Sequence, residues 1–155
     1  MIGLDTNVIV RYIMRDDPTQ TSQADQLISS LTVKNPGYLS LVVLVELWWV
    51  LGRAYQRTTV DRLALFRELL RTDELRLENP ATIQHALDTV DNGADFADSL
   101  IHSLATHMGC TATVTFDVSA ASNSGMRLLP TYLDEPDVRQ EEGSILCDKG
   151  TMTTS

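Results

Sequence analysis

Short apolar segments alternate with longer helical segments along most of this chain, and this alternation is the feature that most constrains its fold. Strand-like segments lie at 1–4, 38–40, 75–77, 112–116 and 128–129. Helical patterns occupy about 8–14, 18–31, 41–55, 59–71, 80–90 and 96–108. Thr6 or Asn7 is expected to cap the first helix. Because parallel strands need a crossover between them, this order predicts an α/β fold with a mostly parallel sheet.

The size and composition of the chain suit one folded domain. It has 155 residues, of which 43% are hydrophobic. The longest apolar run, 39–51, is interrupted by Ser40 and Glu46 and is too short to span a bilayer. No signal peptide is expected, and Cys110 and Cys147 are expected to be free thiols. We therefore expect a cytoplasmic protein without a membrane segment.

Acidic residues outnumber basic ones, and part of the excess lies near the C-terminus. The formal net charge is −9, and residues 131–150 contain six acids and two bases. A folded domain over 1–133 and a flexible acidic tail over 134–155 are predicted. Phosphate binding depends on Lys and Arg, which argues against a broad RNA-binding surface. A nuclease whose bound metal ions supply positive charge remains compatible with this composition.

Four acids lie where an α/β fold gathers functional groups or where an acid is unexpected. Asp5 ends the first strand and Asp117 follows the strand at 112–116, and the carboxyl ends of parallel strands meet at one edge. Glu46 lies in an apolar helix, which we interpret as buried. Burial of its charge would be costly unless the carboxylate is paired or binds metal. Asp95 and Asp98 are three residues apart and share one face at the start of a helix.

A converging set of acids predicts a site for a divalent cation. Neighbouring carboxylates repel, and each is pushed toward protonation. Mg²⁺ and Mn²⁺ prefer oxygen ligands and relieve this repulsion. One or two such ions can activate a water molecule and neutralise charge on a phosphate, which is the chemistry of phosphodiester hydrolysis.

Each acid also has an ordinary structural interpretation. Asp5 and Asp95 can be helix N-caps, and Asp98 can be an acid of the first turn that the helix dipole stabilises. Asp117 can be a turn residue. Glu46 can pair with an arginine or reach solvent from the helix surface. The combination, rather than any single acid, favours a functional site.

Four segments that contain these acids resemble, in order and spacing, the motifs of PIN-domain ribonucleases. They are LDTNV at 4–8, VEL at 45–47, FADSLI at 96–101 and TVTFD at 113–117. The similarity covers roughly residues 1–130. Among these ribonucleases, the size and layout look most like the VapC-type toxins of bacterial toxin–antitoxin pairs.

The resemblance implies a three-layer α/β/α sandwich and a Mg²⁺- or Mn²⁺-dependent endoribonuclease that a cognate antitoxin protein inhibits. The implied metal-binding and catalytic acids are Asp5, Glu46, Asp98 and Asp117. Asn7 and Thr115 would support them, and Asp95 is a second-rank metal ligand. The acidic tail has no counterpart in these motifs.

Arginines and tryptophans provide further candidates for binding. Possible RNA contacts are Arg11, Arg15, Arg53 and Arg57, although interleaved acids also favour a solvated helical face with salt bridges between 53 and 76. Trp48 and Trp49 are interpreted as core or dimer contacts rather than base-stacking platforms. A symmetric homodimer is expected from this apolar helix.

Two other functions are compatible with these motifs. One is a PIN-type nuclease in RNA maturation or on DNA flaps, without an antitoxin. The other is a catalytically inactive PIN-like module that only binds a partner. Acids at all four motif positions disfavour the inactive module, and the sequence does not identify which RNA is cut.

Overall fold

The computed structural model describes residues 1–135, which form two compact units. The first unit is Met1–Asn92, and the second begins at Gly93. The acidic tail predicted over 134–155 lies, beyond Glu135, outside the described residues. Within the described range, no helix is long and apolar enough to cross a membrane.

The first unit alternates strands and helices as the sequence predicts. Its elements are β1 (Ile2–Gly3), α1 (Thr6–Met14), α2 (Pro18–Ser30), β2 (Gly37–Leu39), α3 (Leu41–Arg53), α4 (Thr59–Arg71), β3 (Leu75–Leu77) and α5 (Pro80–Asp91). The strands form a parallel sheet in the order β1-β2-β3, in which Ile2 is opposite Gly37 and Leu39 is opposite Leu77. The predicted α/β fold with parallel strands is therefore confirmed.

The second unit is smaller and contains two helices that the sequence pattern did not predict. Its described elements are α6 (Phe96–His107), β4 (Val114–Thr115), α7 (Val118–Asn123), β5 (Arg127–Leu128) and α8 (Leu129–Leu133). Strands β4 and β5 are parallel. The helices α7 and α8 have six and five residues, which is too short for a periodic apolar pattern to emerge.

Large apolar side chains fill the core of the first unit. Leu39, Leu44, Leu47 and Phe66 are all 0% exposed. The rings of Trp48 and Phe66 meet edge to face, with centroids 5.3 Å apart. Complete burial of a side chain of this kind contributes roughly 1.5–3 kcal/mol. Trp48 is therefore a core residue, as one of the two sequence interpretations expected.

Glycine at the start of β2 allows the sheet to pack closely. A Cβ atom on Gly37 would lie 2.6 Å from the Cδ1 atom of Leu4 and 3.0 Å from the Cδ1 atom of Leu31. Both leucines are buried, so neither has free space to move into. The strand β2 thus begins at the one residue type that fits there.

The apolar helix α3 is not buried all round, and the prediction of a fully buried helix is wrong. Leu44, Leu47 and Trp48 face the core, whereas Val42 is 77% exposed and Trp49 is 48% exposed. The helix has apolar residues on both of its faces, and only one face packs inward. The helix also ends at Arg53 rather than at Tyr55.

Candidate functional site

The first predicted acid lies where β1 passes into α1. The Leu4 N–H donates to the Tyr38 carbonyl at 2.9 Å and extends the pairing of β1 with β2 up to this point. Asp5 then caps α1, and its Oδ2 atom accepts a hydrogen bond from the Asn7 N–H at 3.2 Å. The N-cap interpretation of Asp5 is therefore confirmed, and the prediction of Thr6 or Asn7 as the cap is wrong. Asp5 is exposed, and the capping bond occupies only one of its two oxygens.

The second predicted acid, Glu46, lies on the exposed side of α3. The helix begins after Ser40, whose side chain accepts a bond from the Val43 N–H at 3.3 Å and caps the first turn. Glu46 follows in the second turn and is exposed, so its predicted burial is wrong. The apolar sequence around it misled that prediction, because helical geometry turns Leu44 and Leu47 inward and Glu46 outward.

Thr6 joins these two acids. Its side chain is 3% exposed, and its hydroxyl donates to the Oε2 atom of Glu46. Asp5 is the residue before it in the chain. Asp5 and Glu46 are thus connected through one peptide unit and one hydrogen bond. No arginine in the described part of the chain forms an ion pair with Glu46, so the salt-bridge alternative is also wrong. The other alternative, that Glu46 reaches solvent from the helix surface, is confirmed.

The second unit contains the other predicted acids, two of them at helix N-termini. Asp95 caps α6, and its Oδ1 atom accepts from the Ala97 N–H at 2.8 Å and from the Asp98 N–H at 3.3 Å. The N-cap interpretation of Asp95 is confirmed. Asp98 is the third residue of α6, where the helix dipole favours a negative charge.

Asp117 follows β4 directly and caps α7. Its Oδ1 atom accepts from the Ser119 N–H at 2.7 Å and from the Ala120 N–H at 3.1 Å. Its own N–H donates to the Thr115 hydroxyl oxygen at 3.0 Å. Thr115 therefore contacts the backbone of Asp117, and its supporting role in the site stays a prediction. The proton of the Thr115 hydroxyl stays available for another acceptor.

The acids of the second unit influence one another electrostatically. Partial burial raises the pKa of Asp98 above its ordinary value, and the negative charges of Asp95 and Asp117 raise that pKa further. This is the signature of carboxylates that share one region without enough positive charge. The donor set contains only oxygen atoms, which fits a hard divalent cation such as Mg²⁺ or Mn²⁺.

The structure therefore groups the predicted acids into two sets, one in each unit. Thr6 links Asp5 with Glu46, and electrostatic repulsion links Asp98 with Asp95 and Asp117. Among residues 1–135, no group of three or more His, Cys, Asp and Glu side chains forms a ready-made metal site. Joint binding of an ion by all four predicted acids stays a prediction.

The two arginines of α1 and its C-cap are held by acids of the same unit. Arg11 donates to the two carboxylate oxygens of Asp16 at 2.7 and 2.8 Å and to Gln20 at 2.6 Å. Arg15 forms a bidentate pair with Asp25 at 3.0 and 2.7 Å. Both arginines would exchange these partners for a phosphate on binding RNA, and their role as RNA contacts stays a prediction.

The two arginines near the end of α3 have weaker partners. The guanidinium of Arg53 stacks over the Trp49 ring at 4.3 Å from its centroid. Arg57 reaches the Met14 sulfur at 3.8 Å. Neither forms an ion pair among the described residues. Arg53 and Arg57 could therefore bind RNA, as predicted, without first breaking an ion pair within this part of the chain.

A shallow apolar groove lies beside Glu46. It has a volume of about 550 Å³ and is lined by Leu41, Val42, Val45, Glu46 and Trp49. All five residues belong to the exposed face of α3. The groove places apolar surface directly next to one of the predicted metal ligands.

Sequence reasoning missed two contributors to this region. Thr6 was considered only as a helix cap, although its position directly after Asp5 was a signal for a role in the site. Tyr55 was assigned no role, yet its hydroxyl donates to Asp16 at 2.6 Å and accepts from Arg11 at 3.2 Å. No sequence pattern pointed to that contact, which joins residues 39 positions apart.

Comparison with known proteins identifies one family. The model of the PIN domain family matches residues 2–123 of the chain. The match includes Asp5, Glu46, Asp98 and Asp117, nearly all of the first unit and the part of the second unit up to residue 123. No curated protein and no solved structure matches the chain.

Proposed function

We propose, from the premise that the chain belongs to the PIN domain family, that it is a Mg²⁺- or Mn²⁺-dependent endoribonuclease and the toxin of a toxin–antitoxin pair. Family membership supports nuclease chemistry in general. The metal, the RNA substrate, the antitoxin and action in the cytoplasm are the finer parts of the proposal.

One observation carries the catalytic part of this proposal. Asp98 is half-buried, and its pKa is raised by burial and by the charges of Asp95 and Asp117. The ionised form of a carboxylate placed in this way is disfavoured relative to its ordinary state. Such an arrangement is common where a cation or a reacting group supplies the missing charge.

We assign the metal-binding role to Asp5, Glu46, Asp98 and Asp117, with Asp95 as a further candidate. A divalent ion held by such oxygens supplies an activated water molecule and neutralises charge that develops on the phosphate. The Asn7 N–H fixes one oxygen of Asp5, and the backbone of α7 fixes one oxygen of Asp117. Each bond limits the rotation of a carboxylate and leaves its second oxygen for a ligand.

The decisive experiment measures metal-dependent cleavage. The purified chain is incubated with a circular single-stranded RNA, which only an endonuclease can open. We expect no cleavage in EDTA and cleavage after addition of Mg²⁺ or Mn²⁺. A chain that cleaves RNA equally well in EDTA would contradict the metal dependence, and a chain inactive with every divalent ion would contradict the nuclease.

The toxin part of the proposal requires an inhibitor that fits the acids. None of the ion pairs in the described residues involves the four proposed ligands, so their charges are available to a partner. An arginine of an antitoxin segment can meet carboxylates bidentately and compete with the metal. The net charge of −9 favours the approach of a basic segment.

Expression in a bacterial host tests this part. We expect growth arrest when the chain is expressed alone from a tight promoter, and rescue when the product of an adjacent gene is expressed with it. The Asp98→Asn variant should be harmless. Harmless wild-type chain that binds no such product would favour the alternative nuclease of RNA maturation.

A homodimer belongs to the same proposal. Val42 and Trp49 expose apolar surface on α3, and the groove beside them is suited to a second apolar surface. Trp48 does not contribute, since it is buried in the core. We expect a dimer by analytical ultracentrifugation that Val42→Lys dissociates. A wild-type monomer at tens of micromolar, roughly, would contradict the dimer.

A further inference from the structure

The hydrogen bond between Thr6 and Glu46 joins a buried side chain of one helix to an exposed acid of another. It connects the first residue of α1 with the second turn of α3, across 40 positions of sequence. The donor is almost completely buried, whereas the acceptor is exposed. A buried hydroxyl therefore fixes a carboxylate that faces solvent.

Two threonines inside helices and one at a helix C-cap use their hydroxyl groups differently. Thr72, Thr89 and Thr106 each donate to the carbonyl four residues earlier, at 2.8, 2.9 and 2.9 Å. This is the usual local bond of a helical threonine. Thr6 is the first residue of its helix, so no earlier turn of α1 offers a carbonyl, and its hydroxyl reaches Glu46 instead.

The bond restricts the rotamers of Glu46, which is a long and exposed side chain. A glutamate has three side-chain rotatable bonds, and an exposed one samples many rotamers. Threonine is branched at Cβ, which leaves its hydroxyl few directions, and burial restricts it further. The hydroxyl engages Oε2 and leaves Oε1 for a ligand. Since Asp5 directly precedes Thr6, the backbone that positions Asp5 also positions the hydroxyl that contacts Glu46.

We propose that Thr6 is a positioning residue that holds the Glu46 carboxylate in register with Asp5 for binding of a divalent cation. This inference rests on the proposed function, because it assigns Glu46 and Asp5 to the metal. Thr6 itself does not contact the ion. It acts by reducing the freedom that Glu46 would lose on binding, as groups that orient metal ligands do.

Calorimetric titration of the RNA-free chain with Mn²⁺ tests this role. We expect Thr6→Val, which keeps the shape and removes the donor, to weaken Mn²⁺ binding by about 10–100-fold. Thr6→Ser keeps the hydroxyl and should retain affinity within about threefold. Cleavage by Thr6→Val should recover as Mn²⁺ is raised, which a general structural defect would not show.

Thr21→Val is the matched control. Thr21 is also buried in a helix, but its hydroxyl donates to the Arg11 carbonyl at 3.3 Å and not to an acid. Its loss should leave Mn²⁺ affinity unchanged. If Thr6→Val does not fold, Thr6→Ala replaces it in the comparison with Thr6→Ser.

Two outcomes overturn the inference in different ways. Wild-type affinity in folded Thr6→Val or Thr6→Ala would refute the positioning role and leave the nuclease proposal intact. A wild-type chain that binds no Mn²⁺ would refute the metal-dependent function, and the inference with it. In a background of Glu46→Gln, Thr6→Val should cause no further loss, and an additional loss would show that Thr6 acts elsewhere.

Discussion

Two carboxylates, one in each unit, have opposite surroundings. Asp16 in the first unit accepts hydrogen bonds from the Tyr55 hydroxyl at 2.6 Å and from the Arg11 guanidinium at 2.7 Å, which hold its pKa below the ordinary value. Partial burial raises the pKa of Asp98 in the second unit, and the charges of Asp95 and Asp117 raise it further. The first arrangement favours the ionised acid, and the second disfavours it.

The difference separates Asp16, whose charge is stabilised by partners within the fold, from Asp98, whose charge is not. Stable structures satisfy their charges, and local exceptions tend to mark functional sites. Asp16 satisfies this rule with a cation and a hydroxyl. Asp98 violates it, which makes it the better candidate for a ligand of an external cation. Variants of these two acids therefore test the proposed site.

The largest expected effect is on RNA cleavage. Asp98→Asn should lower kcat/KM by at least about 100-fold, because it removes a charged metal ligand and several kcal/mol of transition-state stabilisation. Asp16→Asn is the matched control and should keep cleavage within about threefold. The measurement is the rate of RNA cleavage at saturating Mn²⁺. Equal losses in the two variants would remove the proposed distinction.

The next effect is on the stability of the metal-free chain. Asp98→Asn removes a repelled charge and should raise the melting temperature by a few degrees, since about 1 kcal/mol moves it by roughly 2–4 °C in a chain of this size. Asp16→Asn removes an attracted charge and should lower it. Differential scanning fluorimetry in EDTA gives both values. A melting temperature that falls in Asp98→Asn would argue for a structural role of that carboxylate.

The pH dependence of stability should have opposite signs for the two acids. A raised pKa means that the folded state binds more protons than the unfolded state. The contribution of Asp98 to folding stability is therefore present below its ordinary pKa and is lost as the pH rises through its raised pKa. Asp16 has a lowered pKa, so its contribution to folding stability is present above its ordinary pKa and is lost as the pH falls through its lowered pKa.

Melting curves of the wild type and of both asparagine variants, in EDTA between about pH 3 and 7, isolate these contributions. The melting temperature of the wild type minus that of Asp98→Asn should decline as the pH rises. The melting temperature of the wild type minus that of Asp16→Asn should increase as the pH rises. Slopes of the same sign would contradict the comparison.

The smallest expected effect is that of Tyr55→Phe. This change removes one donor to Asp16 and leaves the Arg11 bonds in place. The pKa of Asp16 should move up toward its ordinary value, and the melting temperature should fall slightly, with cleavage unchanged. The carboxyl resonances of Asp16 followed by NMR titration measure the shift. An unchanged titration of Asp16 would show that Arg11 alone lowers its pKa.

Much of the fold was predictable because its signals are local. The strand and helix segments of the first unit follow from apolar patterns bounded by turn residues, and Asp95 was identifiable as a cap. The short helix α7 was not, since its six residues are too few for a periodic apolar pattern and an aspartate alone indicates a turn as readily as a cap. A residue interpreted as a turn acid proved to begin a helix.

The site was predictable in its residue types but not in its contacts. The exposure of Glu46 depends on which face of α3 packs inward, and both faces are apolar in sequence. The pairing of Arg15 with Asp25 depends on how α1 and α2 lie against each other. Sequence spacing gives candidates within one element, whereas the partner of a side chain from another element requires the tertiary structure.

Three of the proposed ligand positions also begin helices, and this has a consequence for how such a protein can decay over evolutionary time. Asparagine caps a helix about as well as aspartate does. A single-base change from an aspartate to an asparagine codon at Asp5, Asp95 or Asp117 would then preserve the cap and remove the charge. The gene can thus pass from an active to a silent form without producing a misfolded protein. Descendants of that kind would keep the fold and the exposed apolar face of α3 while losing the charge that the proposed metal and antitoxin contacts require.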